Sequence, residues 1–163
     1  MRERRSAREC RRAREFEAFV AGAAGRLLHT ATLLTAEPPG APAPVAEELL
    51  TVALSRTYAY WDRLRGEDPY DRTRQELAAE FTRTARRHRR PRGGLLDRLP
   101  PQERLVLVLR LYEGVAEEQT AALLGLPAER VHALCLRAIA EMRSIRRSTA
   151  PPAASPGAGA VAP

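Results

Sequence analysis

The residues best suited to chemistry lie on one face of a predicted helix near the C-terminus, and the chemistry they offer is hydrogen bonding. Between about residues 128 and 146 the apolar residues recur at helical spacing. The opposite face carries Arg130, His132, Ala133, Leu136 and Arg137. Arginine has paired N–H donors that match guanine or a phosphate group, and histidine can donate to either. The pattern predicts a DNA-binding face, with an ordinary solvated face as the alternative for Arg130 and Arg137.

Three residues at and before the start of that face have the spacing of a helix-turn-helix. Such a unit needs a small residue in its first helix and a residue that tolerates positive φ at the turn. It also needs a branched apolar residue that fixes the second helix to the core. Ala121, Gly125 and Val131 meet these needs in that order. The alternative is a plain helical hairpin turned by glycine.

The residues that most often carry out catalysis or bind metals are scattered along the sequence. The three histidines, His29, His88 and His132, lie in different segments with no carboxylate or cysteine at ligand spacing. The sequence contains no phosphate-binding glycine loop, nucleophile motif or Cys-x-x-Cys pair. Cys10 and Cys135 are too few for a disulfide framework. We therefore predict no enzymatic activity, no metal, no cofactor and no small-molecule substrate.

Helical patterns fill the chain and no strand-like alternation stands out, so the predicted fold class is all-α. Apolar spacing predicts helices over 16–34, over 45–64 and from Pro69, with Asp68 as the cap of the third. A short helical turn at 95–99 and a helix ending at Gly114 precede the helix-turn-helix. We predict two small helical domains with these bounds: a basic N-terminal arm 1–15, a first domain 16–89, a linker 90–94, a second domain 95–147 and a disordered Pro/Ala tail 148–163.

The formal net charge of +7 is unevenly distributed, and all 27 basic residues are arginine. The net charge is +4 over 1–15, −4 over 16–82, +6 over 83–94 and +1 over 95–147. The stretch before the linker therefore predicts sequence-independent contact with phosphates, whereas the helix-turn-helix is almost neutral. No apolar run is long enough to span a membrane, and the charged first 15 residues do not form a secretory signal. We expect a cytoplasmic protein with no membrane partner.

The segment ahead of the helix-turn-helix carries a resemblance to a known family. It reads LLDRLPPQERLVLVLRLYEG over 95–114. With the unit that follows, it resembles region 4 of extracytoplasmic-function sigma factors, in which an LP…ER…VL.LR…EG segment precedes the helix-turn-helix that reads the promoter −35 element. The resemblance covers about 50 residues. The abundance of Arg and Ala, with no Lys or Asn, indicates a GC-rich, actinobacterial-like genome.

The N-terminal part is similar to region 2 of the same family, which binds the polymerase clamp and melts the −10 element. The resemblance assigns polymerase contact to Glu47, Glu48, Leu50 and Thr51, and −10 contact to Arg83, Arg86, Arg87, Arg89 and Arg90. This region 2 is divergent. The family's acidic-Leu-Val-Gln-Glu patch reads ELLTV over 48–52, and the asparagine usual in the −10 helix is absent from the chain.

The resemblance implies a sigma factor that binds core RNA polymerase and promoter −10 and −35 DNA, with an anti-sigma factor as a further partner. Two alternatives stay open. The first is a sigma-derived regulatory protein that keeps the fold and has lost promoter opening, because region 2 lacks polar residues and Leu136 stands where an arginine is common. The second is a stand-alone helix-turn-helix regulator, which predicts a homodimer and a palindromic site.

Overall fold

The computed structural model describes residues 2–64 and 66–149, and this part of the chain is helical with no strand. The predicted all-α class is therefore confirmed. The helices, in chain order, are α1 (Arg2–Thr35), α2 (Pro44–Tyr60), a 3₁₀ turn (Trp61–Arg63), α3 (Pro69–Arg83), a 3₁₀ turn (Ala85–His88), α4 (Pro101–Leu107), a π-helical turn (Val108–Tyr112), α5 (Glu117–Leu124) and α6 (Ala128–Thr149).

The first helix begins at Arg2, so residues 2–15 of the predicted basic arm are part of α1. Arginine, alanine and glutamate favour helix, and the arm adds the ion pairs Arg5–Glu9 and Arg11–Glu15 at i,i+4 spacing. The arm is held to the end of α2 by Arg12. The Arg12 guanidinium lies 4.2 Å from the centre of the Tyr58 ring, and its Nη1 lies 3.3 Å from the Asp62 carboxylate.

Other element boundaries follow the sequence patterns closely. Asp68 caps α3, because its carboxylate accepts the Tyr70 N–H at 2.8 Å, and Pro69 occupies the first turn as predicted. The segment 95–98 forms hydrogen-bonded turns in place of the predicted helical turn, since Pro100 and Pro101 follow at once. The helix α6 continues to Thr149, and from residue 150 the predicted disordered tail lies outside the described residues.

Residues from both predicted domains share one hydrophobic core. Leu27 and Phe81 are fully buried in the same cluster as Leu105, Leu109 and Ala138. A second, smaller cluster lies within the helix-turn-helix and contains Val106, Ala121, Val131 and Leu134. The domain boundary at 90–94 stays a prediction, and below we call residues 2–89 the N-terminal segment and residues 95–149 the C-terminal segment.

A buried arginine joins the two segments. Arg104 of α4 is 1% exposed, and its guanidinium donates three hydrogen bonds: Nε to Leu96 O (3.1 Å), Nη1 to Leu34 O (2.8 Å) and Nη2 to Leu99 O (2.9 Å). Leu34 lies in the last turn of α1, where carbonyls lack helical partners. Burial lowers the pKa of Arg104 to about 10, helped by the charge of Arg92, so the group is still charged at neutral pH.

A buried carboxylate makes the second polar connection. Glu113, which follows the π-helical turn, accepts hydrogen bonds from Thr30 Oγ1 of α1 and from Tyr70 Oη of α3, the latter at 3.0 and 3.1 Å. The guanidinium groups of Arg26 and Arg74 lie 3.6 and 3.8 Å away. Burial and the charge of Glu113 raise the pKa of Tyr70 to about 12, so the phenol remains a donor.

Gly94 lies where the linker passes the end of α1. Its N–H donates to Ala36 O at 3.0 Å, and Ala36 itself adopts a left-handed conformation with φ +56°. A Cβ atom on Gly94 would stand 2.4 Å from Ala36 C and O. Any residue other than glycine at position 94 would therefore require the backbone to move.

His88 is buried within the basic stretch that precedes the linker. Its ring stacks on Phe81 at 4.7 Å, and its Nε2 shares a hydrogen bond with Thr84 Oγ1 at 3.1 Å. Burial lowers the pKa of His88 to about 4, with the charges of Arg92, Arg104 and Arg87 acting in the same direction. The ring therefore packs as a neutral group that holds the 3₁₀ turn to α3.

We expect Gly94→Ala to destabilise the protein by about 1–3 kcal/mol, because the new methyl group collides with the Ala36 backbone. Urea unfolding measures the change. The control is Gly22→Ala in the interior of α1, where nothing lies within 4 Å of the added Cβ. That variant should be more stable than wild type by up to about 1 kcal/mol. Equal effects of the two substitutions would contradict the close contact at Gly94.

The buried neutral His88 predicts a loss of stability in acid. Its pKa is about 4 in the folded state and near 6.5 when unfolded, so the unfolded chain binds a proton first as pH falls. This group alone should lower the free energy of unfolding by about 2 kcal/mol between pH 7.5 and pH 5. Urea unfolding of His88→Gln should lack that component. His29→Gln, at an exposed position, should keep the wild-type pH dependence.

Candidate nucleic-acid interface

The turn between α5 and α6 is closed by a glycine in the left-handed conformation. Gly125 has φ +63° and ψ +34°, and its N–H bonds to Ala122 O. The next N–H, of Leu126, donates to Ala121 O at 3.0 Å. This pair of bonds is a Schellman motif, which satisfies the last carbonyls of α5 and turns the chain sharply. No atom lies within 4 Å of a Cβ built on Gly125, so the constraint here is the positive φ alone.

The second helix of the unit presents two distinct faces. Its first turn is closed by Pro127 O, which accepts the N–H groups of Arg130 and Val131. Val131, Leu134 and Ala138 are buried, and Ala121 of α5 packs in the same small core as Val131. The opposite side is exposed, and we call it the reading face: Arg130, His132, Ala133, Leu136 and Arg137. Leu136 is 53% exposed, which is high for a leucine.

Two of the three polar groups on the reading face contact carboxylates of preceding helices. His132 Nδ1 lies 3.1 Å from Glu117 Oε2 in the first turn of α5, and Arg137 Nε lies 3.2 Å from Glu103 Oε1 in the first turn of α4. Arg130 has no ion pair with any described residue. The face is therefore less positive than its residue types indicate, which agrees with the near-neutral charge of this segment.

The basic stretch around the second 3₁₀ turn forms another exposed cationic surface. Its members, which we call the basic segment, are Arg83, Arg86, Arg87, Arg89 and Arg90. Arg83 is tied to the buried Glu80 of α3, which also pairs with Arg56 at 2.7 Å. Burial alone would raise the pKa of Glu80, but Arg83 and Arg56 outweigh it and lower that pKa. The other four arginines form no ion pair within the described residues.

The positions assigned to polymerase contact divide between surface and core. Glu47, Glu48 and Thr51 of α2 are exposed, whereas Leu50 is 7% exposed and belongs to the shared core. Leu50 therefore supports the helix from below and presents little surface to a partner. The start of α2 has no cap from its own Ala43. The buried Glu37 takes that role, accepting the N–H groups of Val45 (3.1 Å) and Ala46 (2.8 Å).

Several residues that organise these surfaces were not singled out from the sequence. Arg104 is the arginine of the ER part of the 95–114 segment and Glu113 is the glutamate of its EG part, and both face the N-terminal segment. The one available signal was a charged residue inside an apolar run, which is buried only when it is paired. Glu37 and His88 gave no comparable signal, because their partners lie beyond a loop or a turn.

Two absences concern the residues described, 2–64 and 66–149. They contain no group of three His, Cys, Asp or Glu side chains that could hold a metal ion. No helix in this range is long and apolar enough to cross a membrane.

Comparison with known proteins identifies the C-terminal segment first. Residues 95–144 match the family model for sigma-70, region 4. This match contains α5 and residues 128–144 of α6, and it begins directly after Gly94. No solved structure matched the chain significantly.

The similarity to curated proteins extends over most of the chain. An RNA polymerase sigma-E factor of Streptomyces antibioticus is 35% identical over 156 residues, covering 79% of this chain and 83% of the relative. The RNA polymerase sigma-E factors of Streptomyces coelicolor and Streptomyces avermitilis are 32% and 31% identical over 154 residues, with 84% and 83% of the relatives covered. With the region 4 match and the glycine-turned helix-turn-helix, these similarities show that the chain belongs to the extracytoplasmic-function type of RNA polymerase sigma factors.

Proposed function

We propose that this protein binds core RNA polymerase and directs it to promoters by contacting −35 and −10 DNA. The single observation that carries the proposal is the exposed reading face of α6 within the matched region 4. A helix that follows a tight turn and is packed by one side on a small core can enter the major groove. The opposite side then meets the base edges, and in this chain that side holds the arginines and the histidine.

The reading face is proposed to contact −35 DNA with different residues in different roles. Arg130 and Arg137 can form paired bonds to guanine O6 and N7 or can bind phosphates. Ala133 and Leu136 offer apolar contact, for which the methyl group of thymine is the natural partner in the major groove. Since the face has few charges, base contacts and shape would account for more of its selectivity than long-range attraction.

The basic segment is proposed to contact −10 DNA through phosphates. Its four unpaired arginines are exposed on a 3₁₀ turn and the following chain, which His88 anchors to α3. Phosphate contacts supply affinity without reading the sequence. Glu47, Glu48 and Thr51 are proposed to contact the polymerase, with Leu50 as a buried support. The proposal locates the protein in the cytoplasm with the polymerase and includes an anti-sigma factor as a further partner.

Transcription in vitro decides between this function and its alternatives. Core polymerase with this protein should yield transcripts from a subset of genomic promoter fragments, and Arg130→Ala should reduce them. The matched control is Arg98→Ala, which removes one exposed arginine of the C-terminal segment outside the reading face. A protein that binds the polymerase and yields no transcript would be a sigma-derived regulator. A dimer that binds a palindromic site without polymerase would be a stand-alone regulator.

The proposed phosphate contacts predict a particular salt dependence of DNA binding. Replacement of Arg86, Arg87, Arg89 and Arg90 by glutamine should weaken binding of the polymerase complex to all promoters alike. Each lost phosphate contact should also reduce the slope of log affinity against log salt by about 0.9. Titration of fluorescent promoter DNA between low and moderate salt measures this slope.

The control for this experiment removes the same charge from another place. Replacement of Arg4, Arg5, Arg8 and Arg11 by glutamine in α1 changes the net charge equally. If that variant and the basic-segment variant lower the slope by the same amount, net charge would explain the effect and the assignment to residues 86–90 would be wrong.

A further inference from the structure

The hydrogen bond between His132 and Glu117 fixes the chemical role of the histidine. The two atoms, Nδ1 and Oε2, are 3.1 Å apart, and the Glu117 side chain is 27% exposed. An ionised carboxylate can only accept hydrogen bonds. The proton of a neutral His132 ring must therefore be on Nδ1 for this bond to exist. The other ring nitrogen, Nε2, is then left with a free lone pair.

This tautomer changes what His132 can recognise in a major groove. With its proton on Nδ1, the ring offers an acceptor at Nε2 and no second donor. In the major groove, the base groups that donate are the N6 amino group of adenine and the N4 amino group of cytosine. Guanine offers two acceptors at its edge, N7 and O6, which cannot pair with a lone pair.

We propose that Glu117 is a specificity-determining residue, which makes His132 select an amino-bearing base, adenine or cytosine, within the −35 element. The inference rests on the proposed function, since it requires α6 to enter the major groove of promoter DNA. Glu117 acts as a positioning residue through His132. It makes its contact from α5, the helix that does not read bases in this type of unit.

The contact is specific to Glu117 and is not shared by its neighbour. A glutamate in the first turn of a helix is favoured in any case by the helix dipole, and Glu118 satisfies that preference equally. Glu118 forms no hydrogen bond or ion pair with His132 or Arg137. The pairing of Arg137 with Glu103 also differs in its consequence, because every polar group of arginine is a donor and the pairing cannot alter its role.

The tautomer can be measured without DNA. Nitrogen-15 chemical shifts of the histidine ring at pH 8.5 should show His132 of the full chain with its proton on Nδ1, and Glu117→Ala should move the proton mainly to Nε2. Glu118→Gln, which also removes one charge from α5, should leave the spectrum as in wild type. His132→Gln assigns the signal among the three histidines. A wild-type ring that is protonated mainly on Nε2 would overturn the proposal.

Base selection by the polymerase complex is the second test. Wild-type holoenzyme should select adenine or cytosine over guanine at one −35 position by roughly 2- to 10-fold, the size of one hydrogen bond. Glu117→Ala should reduce that preference to less than about 2-fold and leave other positions unchanged, while Glu118→Gln keeps the wild-type profile. If Glu117→Ala unfolds the helix-turn-helix, Glu117→Gln is the replacement variant, because it preserves the length of the side chain. Its amide can accept from Nδ1 or donate to it, so the preference should still fall.

Failure of the proposed function and failure of this inference give different results in this experiment. Wild-type holoenzyme that selects no −35 sequence at all would overturn the proposed function together with this inference. Wild-type selection at a position that His132→Gln alters, but that Glu117→Ala and Glu117→Gln do not, would overturn the inference alone.

Discussion

The burial of a guanidinium group that donates its hydrogen bonds to backbone carbonyls is the constraint on which the arrangement of this protein depends. Arg104 carries a full charge into the core, and a buried charge is stable only if hydrogen bonds compensate for the lost water. The partners that satisfy it are three carbonyls, from the end of α1 and from the turns before α4. The position of α4 against α1 is therefore determined by hydrogen-bond geometry in addition to apolar packing. The helix-turn-helix inherits that position because α6 packs on α4.

The polar groups of this protein divide into buried ones that hold the segments together and exposed ones that are available to a partner. Arg104, Glu113 and His88 belong to the first set, and their hydrogen bonds are made to other groups of this chain. Arg130 and the four unpaired arginines of the basic segment belong to the second. His132 and Arg137 are intermediate, since each is exposed but has one contact with a carboxylate. Residue type alone does not separate these classes, because arginine occurs in all three.

Local sequence patterns predicted much of the fold and the helix-turn-helix. The positive φ of Gly125 and the Asp68 cap depend on residues within one or two turns, so their spacing is visible in the sequence. The sequence predicts only a charged arm over 1–15, because these residues lack the apolar spacing that marks the other helices, whereas propensity and i,i+4 ion pairs make residues 2–15 part of α1. Leu50 was assigned to a surface by resemblance, although its apolar spacing with Ala46 and Ala53 indicates the buried side. The contacts of Arg104 and Glu113 could not be predicted, since their partners are 70 and 83 residues away in the chain.

The uninterrupted first helix has a mechanical consequence. Its 34 residues span about 51 Å, and they connect the Arg12 contact with α2 to the Thr30 contact with Glu113. The rise between Arg12 and Thr30 is about 27 Å. If the helix remains straight, a tilt of about 10° around Thr30 moves Arg12 by about 5 Å, more than the 3.3 Å that separates it from Asp62. A small tilt at one end of this helix therefore produces a large displacement at the other end. A tilt of this size at the junction of the two segments would therefore separate Arg12 from Asp62 even if the Thr30 contact with Glu113 were kept.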